Sequence, residues 1–224
     1  MRALLMAAAQ QQRRGVGDNI LRDLDGNEYT TVIIGEQEWI VENWRCTKYA
    51  DGSDILHFSL NDDWIAATEG AYCVYNNDVA NIPAYGLLYN QIAIRSEKGF
   101  SYIEKGGVDQ NFQVTTIADI RTLANYLGGV AVAGGKLKEI GTTHWNSPNT
   151  GATDEVGFSG MGGGYRLYNT GVFSSVKSRG QWWTSSPNSP PRYDFMRLDS
   201  SNDDLLIARE NERFGFSIRL MRNI

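Results

Sequence analysis

Proton transfer and metal binding usually draw on histidine and cysteine. This chain of 224 residues holds two of each: His57, His144, Cys46 and Cys73. Neither histidine has a His, Cys or Glu at metal-ligand spacing, and His144, in THWNSP, reads as a loop or core histidine. Both cysteines sit among apolar or aromatic neighbours, in WRCTKY and GAYCVY. Two are too few for a disulfide framework, so buried free thiols are expected, with a single bridge as the alternative. No nucleophile-elbow pattern is present. Met161 to Gly164 is Gly-rich but lacks the Lys-Ser/Thr and the helix of a phosphate loop, and reads as a turn. Asp51–Asp54, Asn61–Asp63 and Asn202–Asp204 are rich in oxygen ligands suited to calcium. None completes an EF-hand loop, and such runs are ordinarily turns. No metal and no cofactor is expected.

Binding chemistry is denser toward the C-terminus. Between the framing residues Gly180, Trp182 and Trp183 and the alternating Phe214, Phe216, Ile218 and Leu220 lies an unpatterned polar mixture. The candidate ligand-binding residues are Ser174, Ser175, Lys177, Arg179, Gln181, Arg192, Tyr193, Asp194, Met196, Asp199, Asn202, Asp204, Glu210, Asn211 and Arg213. Alternation along extended strands sends Trp182, Phe195 and Leu198 inward and leaves their neighbours outward. Trp183 then faces away from Trp182. A face mixing Tyr, Arg, Asp, Asn and Ser has the chemistry of an antibody-like paratope. Tyr193, Arg192 and Met196 are the expected anchors, because aromatic and Arg side chains often dominate binding energy.

The elements that must position these residues are short. Glu28–Ile34 is β-branched and reads as a strand, with a tight reversal at Gly35-Glu36 into a partner strand over Gln37–Val41. One helical turn is expected over Asp62–Thr68, capped by Asn61 or Asp62. Ala71–Tyr75 reads as a short strand. Ala84–Ala93 has Leu87, Leu88 and Ile92 at helical spacing. Thr115–Leu127 is the clearest helix: Thr115 or Thr116 can cap it, Ile117, Ile120, Leu123, Ala124 and Leu127 share a face, and Gly128-Gly129 ends it. No element is assigned between Val130 and Lys138, and Glu139–Gly164 reads as a long loop. Short strands follow around Tyr165–Tyr168, Gln181–Ser185, Asp194–Leu198, Leu205–Arg209 and Phe214–Arg222. Thr31–Ile34 is expected near Phe216–Leu220, closing the domain, with Trp39, Trp182, Phe214 and Phe216 buried.

A chain of this length buries roughly 70% of its unfolded surface, enough for a real core. The net charge of −5 comes with both signs interspersed, and no basic stripe points to nucleic acid. No apolar run approaches the roughly 20 residues of a membrane span. Residues 1–20 form a separate segment. Arg2 followed by Ala3–Ala9 has the look of a stunted signal peptide, but Gln10–Arg14 follow directly and no Cys is near to carry a lipid. A docking tail for homo-oligomers or a virion partner is the preferred reading, against a cleaved signal or plain disorder.

Several stretches resemble a single family: DLDGNEYTTVIIGEQEWIVENWR, TKYADGS, GAYCVYNND, YGLLYN, LGGVAVAGGKLKEIGTTHWNSPNTGATDEVGFSGMGGGYR and GFSIRLMR. Together they are similar to the Fibrobacter succinogenes major paralogous domain family, from about Asp23 to Arg222. Gly99–Gln113 departs from it, replacing the family's usual Gly-Trp-His segment. The resemblance implies an α+β, C-type-lectin-like fold over residues 21–224, akin to formylglycine-generating enzymes. In it the N- and C-terminal strands pair, two helices flank short antiparallel sheets, and a loop-rich half binds. Those enzymes need reactive cysteines late in the chain, and nothing after Cys73 is a cysteine, so the resemblance to them is one of fold.

Some members of the family are variable proteins of diversity-generating retroelements, which mutate template adenines to rewrite a C-terminal surface. That implies a variable region at about 166–222. Codons for Gly and Trp can lack adenine, and Phe can be written with few targets, so Gly180, Trp182, Trp183, Phe214, Gly215 and Phe216 would be spared. Lys177, Gln181, Met196, Glu210 and Glu212 do not arise from an Asn codon and need other template codons or are fixed. The alternative is an ordinary solvated surface. The expected protein is a non-enzymatic receptor-binding component of a phage tail, in the virion. A secreted or surface-anchored bacterial adhesin, extracellular or at the cell surface, is second. An enzyme of the formylglycine-generating type is third. The expected ligand is a cell-surface protein or glycan.

Overall fold

The computed structural model of the chain describes residues 20–186 and 190–224. The expected N-terminal docking segment, apart from Ile20, lies outside the described residues. The architecture is α+β, with short and mostly antiparallel sheets accompanied by a few helices.

The hairpin of Thr31–Ile34 and Gln37–Ile40 and the C-terminal strand meet in one sheet, ordered Gln113–Val114, Leu220–Asn223, Gln37–Ile40, Thr31–Ile34. Gly35, at φ +62°, turns the N-terminal hairpin, and Trp39 lies opposite both Val32 and Met221. Thr31–Ile34 thus shares the sheet with the C-terminal strand, one strand removed. That strand is shorter than the sequence pattern predicts. Phe214–Ile218 is buried and makes single bridges instead, Phe216 to Tyr89, Gly215 to Arg166 and Ser217 to Trp182.

A second sheet, of Arg179–Trp183, Arg192–Asp199 and Leu205–Asn211, carries most of the candidate residues. Both sheets lie between two apolar cores. Ile40, Leu220, Trp183 and Phe195 enter one core, and Trp39, Met221, Trp182 and Met196 enter the other. Successive strand residues point to opposite faces, so the adjacent Trp182 and Trp183 are both buried, in different cores. Trp39, Phe214 and Phe216 are buried as expected.

The helix Ile117–Tyr126 roofs the second core with Ile120, Leu123 and Ala124. Its start is a reciprocal capping box. Thr116 Oγ1 accepts from the Asp119 N–H at 3.2 Å, and Asp119 Oδ2 accepts from the Thr116 N–H at 2.8 Å. Ile117 is only partly buried. A further helix, Val130–Leu137, follows where no element is predicted. Gly134 and Gly135 weaken its helical signal, yet they permit close packing: a Cβ on Gly134 would stand 2.1 Å from the Asp204 carbonyl oxygen.

The helix predicted over Ala84–Ala93 is broken. Short turns at Ile82–Tyr85 and Gln91–Ile94 flank a strand, Leu88–Tyr89, paired with Ala71–Cys73. Gly86 breaks it, with φ +67° and ψ −149°, hard against Asn43 and Trp44. The expected turn near Asp62 is a helix over Asn61–Ile65 without a side-chain cap.

Candidate functional site

On the central sheet the cross-strand pairs are Arg179 with Asp199, Gln181 with Arg197 and Trp183 with Phe195. These six side chains share one face. The Trp183–Phe195 end is buried and packs against Phe216 with tilted rings, at 4.3 and 4.8 Å between ring centroids. The other end is polar and open. Asp199 accepts from Arg179 Nε at 3.1 Å and from Arg197 Nε at 2.7 Å. The two Arg side chains are 40% and 26% exposed and Asp199 13%. The cluster therefore carries one positive charge in excess at a solvent boundary.

The neighbouring hairpin, Gly163–Arg166 with Phe173–Val176, continues this surface. The Tyr165 ring leans on Phe214 and Phe216 at 5.9 and 6.2 Å, and its hydroxyl meets Ser175, Ser174 and Arg179. Burial works to raise the Tyr165 pKa, but those hydrogen bonds and the Arg179 charge outweigh it and leave the phenol below its usual range. The Ser174 and Ser175 hydroxyls lie 3.2 Å apart. Ser175 and Lys177 both have φ +61°, the left-handed region. Lys177 is held there by its backbone N–H to the Gly162 carbonyl and by its own carbonyl, which accepts from Asn146, both at 2.6 Å. Farther along, Tyr168 packs on Phe214 at 5.1 Å. Arg213 lies 6.0 Å from the Tyr168 ring and donates to the Ile65 carbonyl at 2.6 Å.

The structure separates the other candidates. Arg192 and Asp194 lie on the opposite sheet face, where Arg209, 61% exposed, bonds Asp194 at 2.8 Å. Asn202 and Asp204 form the turn at the far end of the sheet, with the Asn202 side chain accepting from the Asp204 N–H at 3.1 Å. Glu210 pairs across from Tyr193. Asn211 accepts from the Arg213 N–H at 3.0 Å, tightening a corner near Trp64.

Three expected surface residues are buried: Tyr193 is 2% exposed, Met196 1% and Gln181 5%. Met196 points with Trp182 into the helix-covered core. Tyr193 lies under the Arg95 guanidinium, 4.4 Å from its ring centroid. Gln181 sits between the arginines and the aromatic floor, and its Oε1 has no partner among the described residues. Tyr193 and Met196 are therefore framework and not anchors. Sequence reasoning also passed over Tyr165, Tyr168, Arg197 and Leu206. Arg197 was legible from its i, i+2 relation to Asp199, whereas Tyr165 belongs to another sheet.

The remaining polar clusters have structural partners. Asp51 Oδ1 accepts from the Ser53 backbone and hydroxyl at 2.8 and 2.7 Å, and Lys48 pairs with Asp54 at 2.6 Å. His144 Nδ1 lies 2.8 Å from Glu139, and His57 stacks on Tyr72 at 4.9 Å. Among the described residues no group of three or more His, Cys, Asp or Glu could hold a metal ion, and no helix is long and apolar enough to cross a membrane. A cavity of about 590 Å³ opens by Leu21, Tyr29, Glu42 and Arg222, and none of the candidate residues lines it.

The family model of the Fibrobacter succinogenes major domain matches residues 32–222. The chain belongs to this family. No curated protein and no solved structure matches it. The Fibrobacter succinogenes major domain here includes the whole candidate face and the C-terminal strand that closes the molecule.

Cys46 and Cys73 are free and buried, and burial pushes each thiol up to about 12. At pH 8 neither holds appreciable thiolate, the nucleophilic form. Ellman's reagent is expected to find no fast-reacting thiol in the folded protein and two in urea. Rapid native labelling at pH 8 would contradict the buried positions.

Proposed function

We propose that this domain is a non-enzymatic ligand-binding module with a C-type-lectin-like architecture, displaying an exchangeable surface on its C-terminal half. One observation carries the reading. Arg179, Arg197 and Leu206 reach solvent from the central sheet, whose other side chains, Trp182, Trp183, Phe195 and Leu198, form the cores beneath, and Ser174 and Ser175 extend that surface from the adjoining half-buried hairpin strand. Side chains of the first kind can change with little effect on stability, while the second kind hold the backbone. Diversification by a retroelement, on a phage tail protein binding a cell-surface protein or glycan, fits that division. A secreted or surface-anchored adhesin would use the same face. The buried, high-pKa thiols argue against the cysteine chemistry of a formylglycine-generating enzyme.

The test is an exchange experiment. Replacing Ser174, Ser175, Arg179 and Leu206 together is expected to abolish binding to a ligand selected from a cell-surface protein and glycan array. The melting temperature should move by only a few degrees, since surface substitutions usually cost within about 0.5 kcal/mol each. Met196→Ala should instead cost about 2–5 kcal/mol, as a large-to-small change in a packed core. Unaltered binding in the quadruple variant would remove this face as the ligand site. A negligible cost for Met196→Ala would contradict its framework role.

A further inference from the structure

We infer that the open end of this face is an acidic-saccharide subsite, in which Arg179 and Arg197 receive a sugar carboxylate and Tyr165, Ser174, Ser175 and Gln181 receive its hydroxyls. The inference rests on the reading of this face as the binding surface and names the chemistry of its ligand. Three independent features meet there. The first is charge. Two guanidiniums share the single Asp199 carboxylate, each through its Nε, and the terminal nitrogens of Arg197 have no partner among the described residues. Guanidinium is suited to holding a carboxylate through two parallel N–H bonds.

The second feature is an unmet acceptor. Gln181 is 95% buried, with 5% of its surface exposed, and pairs across the sheet with Arg197. Its Oε1 lacks a donor among the described residues. A buried polar group without a partner is costly, and a ligand O–H reaching the floor between the arginines would supply the missing donor after a small side-chain adjustment. The third is the hydroxyl row. Tyr165, Ser174 and Ser175 each both donate and accept, which matches vicinal sugar hydroxyls that do the same. An acidic peptide would meet the charge but has fewer groups to satisfy this row. The half-buried faces of Tyr165 and Tyr168 add flat apolar surface beside the polar groups.

The probe is tetragalacturonate, titrated calorimetrically into the full-length protein, with its fully methyl-esterified form and a tetraglutamate peptide as comparisons. The acid form is expected to bind, and the ester about tenfold or more weakly, because esterification removes the charged acceptor. Arg197→Gln and Arg179→Gln should each weaken the acid form by about tenfold or more with a folded far-UV spectrum retained. Tyr165→Phe should weaken both forms alike, since the phenol serves hydroxyls. Arg209→Gln, on the opposite sheet face, should bind as the parent does.

Equal binding of acid and ester, tetraglutamate binding as tightly as tetragalacturonate, an undiminished Arg197→Gln and Arg179→Gln, or no saccharide binding at all would each overturn the assignment. The wider reading fails separately. If tetragalacturonate does not bind but another ligand is lost in the Ser174, Ser175, Arg179 and Leu206 exchange, the face remains a binding surface and only its ligand class is wrong.

Discussion

Lys138→Met is expected to destabilise the fold by about 3–5 kcal/mol, because three buried carbonyls lose their donor while the cost of burying the ammonium is relieved. Lys138 is fully buried, at the end of the Val130–Leu137 helix. Its ammonium donates to the backbone carbonyls of Thr150 at 2.7 Å, Asp199 at 2.9 Å and Asn202 at 2.7 Å. All three protons are used, and no side-chain carboxylate takes one of them. A methionine of similar shape would fill the volume and leave three carbonyls without donors, each costing about 1–3 kcal/mol when buried. Urea denaturation should show a lower midpoint with an unchanged slope. Amide exchange should accelerate first around Thr150 and residues 199–204, where the three carbonyls lie. A change below about 1 kcal/mol would mean that water replaces the ammonium and that the network is not structural.

Arg166→Met should cost a similar amount, about 3–5 kcal/mol, from the buried acceptors left without donors. This residue opens the expected variable region, yet it is buried. Its guanidinium lies between the Trp64 and Phe173 rings, 4.8 Å from each centroid. It donates to the carbonyls of Gly171 at 2.8 Å and Ser59 at 3.1 Å, to that of Phe58, and to Asn61 Oδ1 at 3.1 Å. One side chain thus ties the 58–61 segment to the Gly171 turn, directly beside Tyr165. Lysine cannot reproduce this fork, so Arg166→Lys should recover only part of the loss. The check is thermal unfolding of both variants. Equal stability of Arg166→Met and the parent would show that aromatic packing alone holds the corner.

Legibility followed the physics of each element. The Ile117–Tyr126 helix was readable because its cap, its apolar stripe and its glycine stop all agree. The strands of the central sheet were readable as strands. The facing of their residues was only half readable. Alternation assigns one inner and one outer face, whereas this sheet lies between two cores, so Met196 is buried as fully as Phe195, and Tyr193, two residues before Phe195, shares that residue's inward face. The polar positions are displaced to the ends of the strands, where neither core reaches. Arg179, Asp199, Ser174 and Ser175 were found by composition, but their neighbour Tyr165 comes from a different hairpin and carries no local signal. Val130–Leu137 was hidden by the two glycines that let it press against the 203–204 turn. The Ala84–Ala93 periodicity was real but was overruled at Gly86 by contact with Asn43 and Trp44.

The left-handed backbone at Ser175 and Lys177 gives this surface a built-in bias. If sequences here are sampled at random, they are not sampled evenly. Glycine and asparagine enter a left-handed position readily, while β-branched residues carry a penalty of about 1–2 kcal/mol. A population of variants recovered after selection for folding alone should therefore be rich in Gly, Asn and Asp at 175 and 177 and poor in Val and Ile. Arg179, two residues on in a regular strand, should show no such skew. At these two positions the backbone, and not any contact of the side chain, sets which residues a folded variant can carry.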